Sequence, residues 1–196
     1  GMKDQREIAR ARKTNAVEEN HRRVTLRRAQ GMHLAAPLFA LDEILQEPRL
    51  VAPPQVVEPG VPPKFEDVVS QTLPYMPSWP EISAVYHAQT ITLPQALSGN
   101  TNIVIIGQPG AGKSVALAHL ASLAANRSEK LEALKNAVPF FYHVANLKLP
   151  VADPKDVLNP LIDAASEHAP LLDQSRLPAF VQNAFKSGDV LLIIDG

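Results

Sequence analysis

The sequence predicts an α/β fold organised around a parallel sheet, and three observations lead to that prediction. A β-branched run at 103–106 enters a glycine-rich loop, and residues 114–125 behind it are rich in Ala and Leu and contain no Gly or Pro. Further apolar runs follow at 138–144 and 190–194, separated by helical patterns. Strands that alternate with helices form parallel sheets with helices on both faces. Because 103–106 is continuously apolar, this strand is predicted to be buried on both faces.

The loop after the first of these strands satisfies the phosphate-binding pattern G-x-x-x-x-G-K-[ST], the Walker A motif. Its eight positions are Gly107, Gln108, Pro109, Gly110, Ala111, Gly112, Lys113 and Ser114. The glycines let successive backbone N–H groups face one concavity, and the following helix adds the positive end of its dipole. Lys113 is predicted to contact the β- and γ-phosphates, and the Ser114 hydroxyl to ligate Mg²⁺. The pattern, with a strand before it and a helix after it, favours a nucleotide site over a chance match.

Asp195 ends the third apolar run and is the second candidate for the metal site. P-loop proteins hold an acidic residue at the end of such a strand, where it orients the magnesium shell. Taken alone, LLIIDG is as typical of a core strand followed by an Asp-Gly turn. Its place about eighty residues after a Walker A motif favours the metal role.

Composition limits the function classes. The chain has 196 residues, 45% of them hydrophobic, which suits one globular domain with appendages. A net charge of −1 gives no reason to expect nucleic acid as a partner. The absence of cysteine excludes disulfides and cysteine-based metal or redox chemistry. No apolar stretch reaches membrane-spanning length and the N-terminus is charged, so the chain as given is expected to be soluble. A cytoplasmic location is expected because ATP-type chemistry makes exposure to the cytosol the default.

The N-terminal segment is basic and helical by composition. Residues 3–28 contain nine Lys or Arg against four acids and no Gly or Pro. Their few apolar residues form no clean stripe, which favours a solvated helix. A helix beside anionic lipid, giving a membrane-associated protein, is the open alternative. Residues 31–47 add an apolar face at helical spacing, formed by Leu38, Phe39, Leu41, Ile44 and Leu45.

A proline-rich connector follows the N-terminal segment. Nine of the eighteen prolines lie between Pro48 and Pro80, so little regular structure is expected there beyond a short helix around Phe65 to Leu73. Three parts are therefore predicted: an N-terminal basic and amphipathic helical segment at 1–47, a connector at 48–85, and the P-loop portion at 86–196.

Two histidines lie close in sequence to the predicted site. His143 ends the second strand, and His119 lies on the helix after the Walker A motif. A lone histidine in a buried strand or helix is more often a structural residue than a catalytic one. Both are predicted to be structural.

The two motifs, GQPGAGKSVALAHLA and LLIIDG, with the strand VPFFYHVANLKLP between them, resemble the NACHT domains of the STAND class of signalling ATPases. The likeness covers about residues 90–196. It implies a P-loop NTPase sheet with flanking helices, phosphate binding at Gly107 to Ser114, and a magnesium role for Asp195. In that family the second motif usually continues as Asp-Gly-Leu-Asp-Glu. The chain ends at Gly196, so the sheet is expected to be truncated after the Walker B strand and hydrolysis to need residues beyond it.

The leading functional prediction is a regulatory switch controlled by Mg-ATP, with ATP preferred over GTP only through that resemblance. The resemblance implies that further domains of the same chain act as partners. Self-oligomerisation, and proximity to a membrane through residues 3–28, remain open. The alternatives are a P-loop kinase acting on a small molecule and a membrane-tethered scaffold with a vestigial P-loop. Only Arg127 and Arg176 lie between the two motifs, so no Arg-rich lid favours the kinase.

Overall fold

A computed structural model describes residues 2–33, 35–47, 49–51, 67–72, 90–98 and 102–196. The α-helices in this part of the chain are α1 (Met2–Gln30), α2 (Leu41–Ile44), α3 (Leu93–Ala96), α4 (Lys113–Ala125), α5 (Asn159–Ser166), α6 (Leu171–Gln174) and α7 (Leu177–Ser187). The strands are β1 (Leu50–Val51), β2 (Asp67–Thr72), β3 (Thr90–Ile91), β4 (Asn102–Ile106), β5 (Val138–His143) and β6 (Val190–Asp195). Short 3₁₀ helices span Glu129–Leu134, Val144–Asn146 and Pro154–Asp156.

The strands form two sheets, each with one parallel pair. The first has the order β3-β1-β2-β4, and in it β2 runs parallel to β4 with Val68 opposite Ile103. The second consists of β5 and β6, which are parallel with Phe141 opposite Ile193. Helices connect β4 to β5 and β5 to β6. The predicted α/β class is confirmed as a mixed helix and strand fold with a small parallel sheet, and within the described residues β4 and β6 lie in different sheets.

One element of the connector is not what the sequence suggested. The short helix predicted around Phe65 to Leu73 is the strand β2. Its sequence DVVSQT contains three β-branched residues, which fit a pleated strand better than a helix. The parallel ladder to β4 satisfies its backbone, and that pairing joins segments about thirty residues apart in the sequence.

The first hydrophobic core surrounds α4. Ile103 and Ile105 of β4 and the buried Leu191 and Ile193 of β6 pack into the same cluster as this helix. The opposite faces of the two strands are exposed, with Val104 at 59% and Leu192 at 44%. The prediction that the 103–106 strand is buried on both faces is therefore wrong for the described part of the molecule. There, α4 covers one face, and the other face carries no comparable layer.

A second core lies on the far side of β5. Phe140 is fully buried there among residues of α5 and α7, and its ring contacts those of Phe180 and Phe185. Val17 of α1 belongs to the same cluster. Since Phe141 points to the first core, β5 is covered on both faces and is the most enclosed strand described.

Helix α1 packs against the body of the protein and is not a solvated helix from Val17 onward. Val17, His21, Thr25 and Ala29 are buried and recur every four residues, which gives one continuous face. Two of these four residues are polar, so a count of apolar residues does not detect this face. The helix lies against α4 and β5. None of the described helices is both long and apolar enough to cross a lipid bilayer.

Polar side chains hold this face of α1 in place. The buried Arg22 donates to the backbone oxygens of Ala124, at the end of α4, and of Asn136, at 2.8 and 2.7 Å. It also pairs with Glu18 at 2.8 Å. His21 Nε2 donates to the Pro139 carbonyl oxygen at 2.8 Å. Because all of these groups are partnered, the desolvation of the polar face is compensated.

The segment at 31–47 is less helical than its apolar spacing predicts. Among the described residues of this segment, only Leu41–Ile44 forms an α-helix, and Leu41 is buried while Leu38 is 78% exposed. Gln30 fixes the helix start by accepting from the Leu41 N–H, and Asp42 accepts from His119 Nδ1 at 3.0 Å. Polar contacts thus anchor α2 on α1 and α4.

Because the ring of His21 is buried, we expect the protein to become less stable at acidic pH. Burial lowers the pKa of His21 from 6.5 to about 4, so the folded chain binds this proton less tightly than the unfolded chain. The stability that follows from keeping His21 neutral is fully present above pH 6.5. It is lost as the pH falls towards 4, and the loss is on the order of 3 kcal/mol in the free energy of unfolding. We expect His21→Gln, which keeps a donor but does not titrate, to lose less stability between pH 7 and pH 4.5 in urea unfolding. Equal losses in the two proteins would contradict the assignment, because the other titrating groups are shared.

Candidate functional site

The Walker A loop leaves β4 and enters α4 as a compact turn. The Ala111 N–H bonds the Gln108 carbonyl oxygen at 3.1 Å, and α4 begins at Lys113. Gly110 and Gly112 have φ angles of 81° and 83°, in the left-handed region. Residues with a side chain are strained there, so this loop conformation favours glycine at both positions, although the motif itself fixes only Gly112 of the two. The loop therefore has the strand, turn and helix context that its motif demands.

The Lys113 side chain folds back over its own loop. Its Nζ donates to the carbonyl oxygens of Gly107 at 2.7 Å and Gln108 at 2.9 Å. An ammonium group has three donors and no acceptor. A phosphate oxygen is an anionic acceptor and forms a stronger bond with the ammonium group than a neutral carbonyl oxygen does. Phosphate could therefore replace these two carbonyls as the partner of Lys113.

Ser114 and Asp195 are brought together although they lie on different elements. Ser114 Oγ, in the first turn of α4, donates to Asp195 Oδ1 at 3.0 Å. Asp195 is buried at the end of β6. The two predicted metal-site residues are therefore direct neighbours, beside the lysine of the same loop.

Comparison with protein families identifies this part of the chain. The family model described as AAA domain matches residues 96–196, just over half of the sequence. The chain belongs to the AAA domain family. No curated protein and no solved structure matches it. An AAA domain is a P-loop NTPase domain, and membership in the family supports nucleotide binding.

The donor set beside the AAA domain's Walker A loop suits magnesium. Mg²⁺ prefers oxygen ligands, keeps several waters and uses one or two protein carboxylates together with substrate phosphates. A hydroxyl and a carboxylate oxygen 3.0 Å apart match that chemistry. Among the described residues, no group of three or more His, Cys, Asp or Glu could hold a metal by itself. Phosphate oxygens would have to complete the coordination.

A cleft beside the Walker A loop does not include the loop itself. This cleft of about 840 Å³ is lined by β4 on one side and β6 on the other. Lys113 and Asp195 border it, whereas loop residues 107–112 do not line it. Phosphate groups bind to backbone N–H groups at the start of a helix, and this cleft does not contain the loop that would supply them.

The two histidines have different surroundings. His119 contacts Asp42 and serves the attachment of α2. His143 is exposed at the end of β5, directly opposite Asp195 in the β5–β6 ladder, and not buried in the strand interior. Sequence reasoning missed this neighbour of Asp195. The available signal was its position as the last residue of a strand in a parallel sheet, where side chains from adjacent strands meet.

Proposed function

We propose that this chain is a nucleotide-binding regulatory module that takes Mg-ATP at residues 107–114, with Ser114 and Asp195 serving the magnesium ion. The single observation that carries the proposal is the hydrogen bond between Ser114 and Asp195 beside the Walker A lysine. Chance motifs on separate elements would have no reason to meet. The family assignment supports the same conclusion.

The polar contacts of the loop suggest how the switch operates. Lys113 bonds the carbonyls of Gly107 and Gln108, and Ser114 bonds Asp195. In the nucleotide-bound state, Lys113 moves to the phosphate oxygens, while the Ser114 hydroxyl and Asp195 serve the cation. The magnesium ion, when bound, supplies charge neutralisation of the phosphates. The two states thus differ in the partners of three side chains, which is how a γ-phosphate biases a conformational equilibrium.

We further propose that the module belongs to the NACHT type of STAND signalling ATPase, on the likeness of the two motifs and the strand between them. ATP is the proposed nucleotide for that reason. The three-part division at 47/48 and 85/86 is proposed with it, with α1 packed against the P-loop portion through the contacts of Arg22 and His21.

Asp195→Asn tests the metal assignment. The amide oxygen still accepts from Ser114, but the negative charge that attracts the cation is gone. We expect the apparent Mg²⁺ affinity at fixed ATP to fall about tenfold or more, with a smaller loss of ATP binding in excess chelator. Magnesium titration monitored by a fluorescent ATP analogue measures both quantities.

Asp189→Asn is the matched control, because Asp189 is an exposed carboxylate just before the same strand. It should leave both affinities unchanged. If Asp195→Asn weakens nucleotide binding equally with and without Mg²⁺, Asp195 is a structural residue and the metal assignment is wrong.

A further inference from the structure

His143 lies beside the proposed site without belonging to either motif. We propose that its Nε2–H group donates to the terminal phosphate of a bound nucleoside triphosphate, and that this contact makes the site prefer triphosphate to diphosphate. The inference rests on the proposed function and adds a residue that determines nucleotide selectivity.

Strand register places His143 next to Asp195. The two residues are opposite each other in the parallel β5–β6 ladder, and neighbouring strands lie about 4.8 Å apart. Opposite residues of a parallel pair project to the same face of the sheet. Asp195 on that face bonds Ser114 at the start of α4. His143 therefore stands on the face that carries the Walker A loop.

The face assignment follows independently from the residues before this pair. Phe141 and Ile193, two positions earlier on the two strands, both pack into the core around α4. Because side chains alternate along a strand, His143 and Asp195 continue the same row towards the beginning of α4. The strands also stay together beyond this pair, since a Cβ on Gly196 would come within 3.2 Å of Val144 Cγ1.

The hydrogen bonding of the ring determines what His143 can offer a ligand. The Ala145 N–H donates to His143 Nδ1 at 3.1 Å, so Nδ1 is an acceptor. In a neutral imidazole the proton is then on Nε2, which becomes a donor. No hydrogen bond to Nε2 is formed within the described part of the chain. An exposed N–H donor next to a carboxylate that serves a cation suits a phosphate oxygen.

Two conservative variants separate the two nitrogens of the ring. Asparagine places its side-chain oxygen near the Nδ1 position and can keep the bond from Ala145, as side-chain oxygens do at helix starts, but it has no group at Nε2. Glutamine reaches the Nε2 position with an N–H group and gives up the bond at Nδ1. The pair distinguishes a ligand contact from a role in holding the loop at Val144–Asn146.

The experiment compares the unmodified chain, His143→Asn and His143→Gln, by calorimetric titration with Mg-ADP and with a Mg-ATP analogue whose β–γ bridge resists hydrolysis. We expect His143→Asn to melt at the same temperature as the unmodified chain, to bind Mg-ADP equally well, and to lose about tenfold in affinity for the analogue. His143→Gln should retain more of the triphosphate preference than His143→Asn.

Equal triphosphate preference in the unmodified chain and His143→Asn, or a greater preference in His143→Asn than in His143→Gln, would overturn the inference while leaving the nucleotide site intact. If the unmodified chain binds neither nucleotide, the proposed function itself is wrong, and the inference falls with it.

Discussion

Lys113→Ala is expected to abolish measurable Mg-ATP binding while the protein stays folded. The variant loses a positive charge and its charge-assisted bonds to phosphate, each of which contributes about 1.5 to 3 kcal/mol. Two such bonds correspond to a loss of at least about 100-fold in affinity. Isothermal titration calorimetry of both proteins with Mg-ATP measures the difference.

The fold should tolerate this change, because the described polar partners of Lys113 are two carbonyl oxygens of its own loop. Without nucleotide, the free energy of unfolding should change by no more than about 0.5 kcal/mol. Lys130→Ala removes the same charge from an exposed site at the 3₁₀ helix Glu129–Leu134 and should bind Mg-ATP normally. If Mg-ATP affinity survives in Lys113→Ala, the Walker A assignment is wrong.

Arg22→Ala should cause the largest loss of stability. The Arg22 side chain is only 2% exposed and donates to the Ala124 and Asn136 carbonyls as well as to Glu18. Its removal takes away the described side-chain donor of the Asn136 carbonyl and opens space between α1 and α4, whereas the Ala124 carbonyl and Glu18 still accept from Arg127. A buried acceptor left without a donor costs about 1 to 3 kcal/mol and the lost packing adds to this, so a loss of about 2 kcal/mol or more is expected. Urea unfolding followed by circular dichroism measures the loss.

Arg23→Ala is the control for Arg22→Ala, since it removes the same charge from the adjacent, exposed position of α1. Its described partner is the Asn20 side chain. We expect an effect below about 0.5 kcal/mol, as for other surface substitutions. Similar small losses in both variants would mean that α1 does not dock on the P-loop portion in solution.

The elements that could be predicted from sequence are those specified by local signals. The unit formed by β4, the Walker A loop and α4 is encoded by consecutive residues, with Gly110 and Gly112 at positions that need left-handed backbone. The end of α7 likewise follows from Gly188, whose φ is 79°. In each case the neighbouring residues alone determine the local structure.

Other features depend on long-range pairing that no local window contains. β2 was predicted as a helix because its partner β4 lies about thirty residues away. The docking of α1 was missed because its buried face includes His21, Arg22 and Thr25, whose burial depends on carbonyls and side chains supplied by distant elements. Polar residues are buried only where such partners exist.

The candidate site also has residues that could be predicted from the sequence and one that could not. Lys113, Ser114 and Asp195 could be proposed as site residues because motif spacing indicates their chemistry, and the structure brings Ser114 and Asp195 within hydrogen-bond distance. His143 could not be identified as a neighbour of Asp195, since this requires the register of β5 against β6. A shift of one residue would turn its side chain to the other face.

The central claim is that this chain binds a magnesium nucleotide at its Walker A loop. The most direct test is a thermal melt of the unmodified chain with Mg-ATP, Mg-GTP and Mg²⁺ alone. Nucleotide at 100 times its dissociation constant should stabilise the folded chain by about 2.7 kcal/mol, a clear rise in melting temperature over Mg²⁺ alone. A larger rise with ATP than with GTP is the predicted result. Identical melting temperatures in all three conditions, at millimolar nucleotide, would contradict the account.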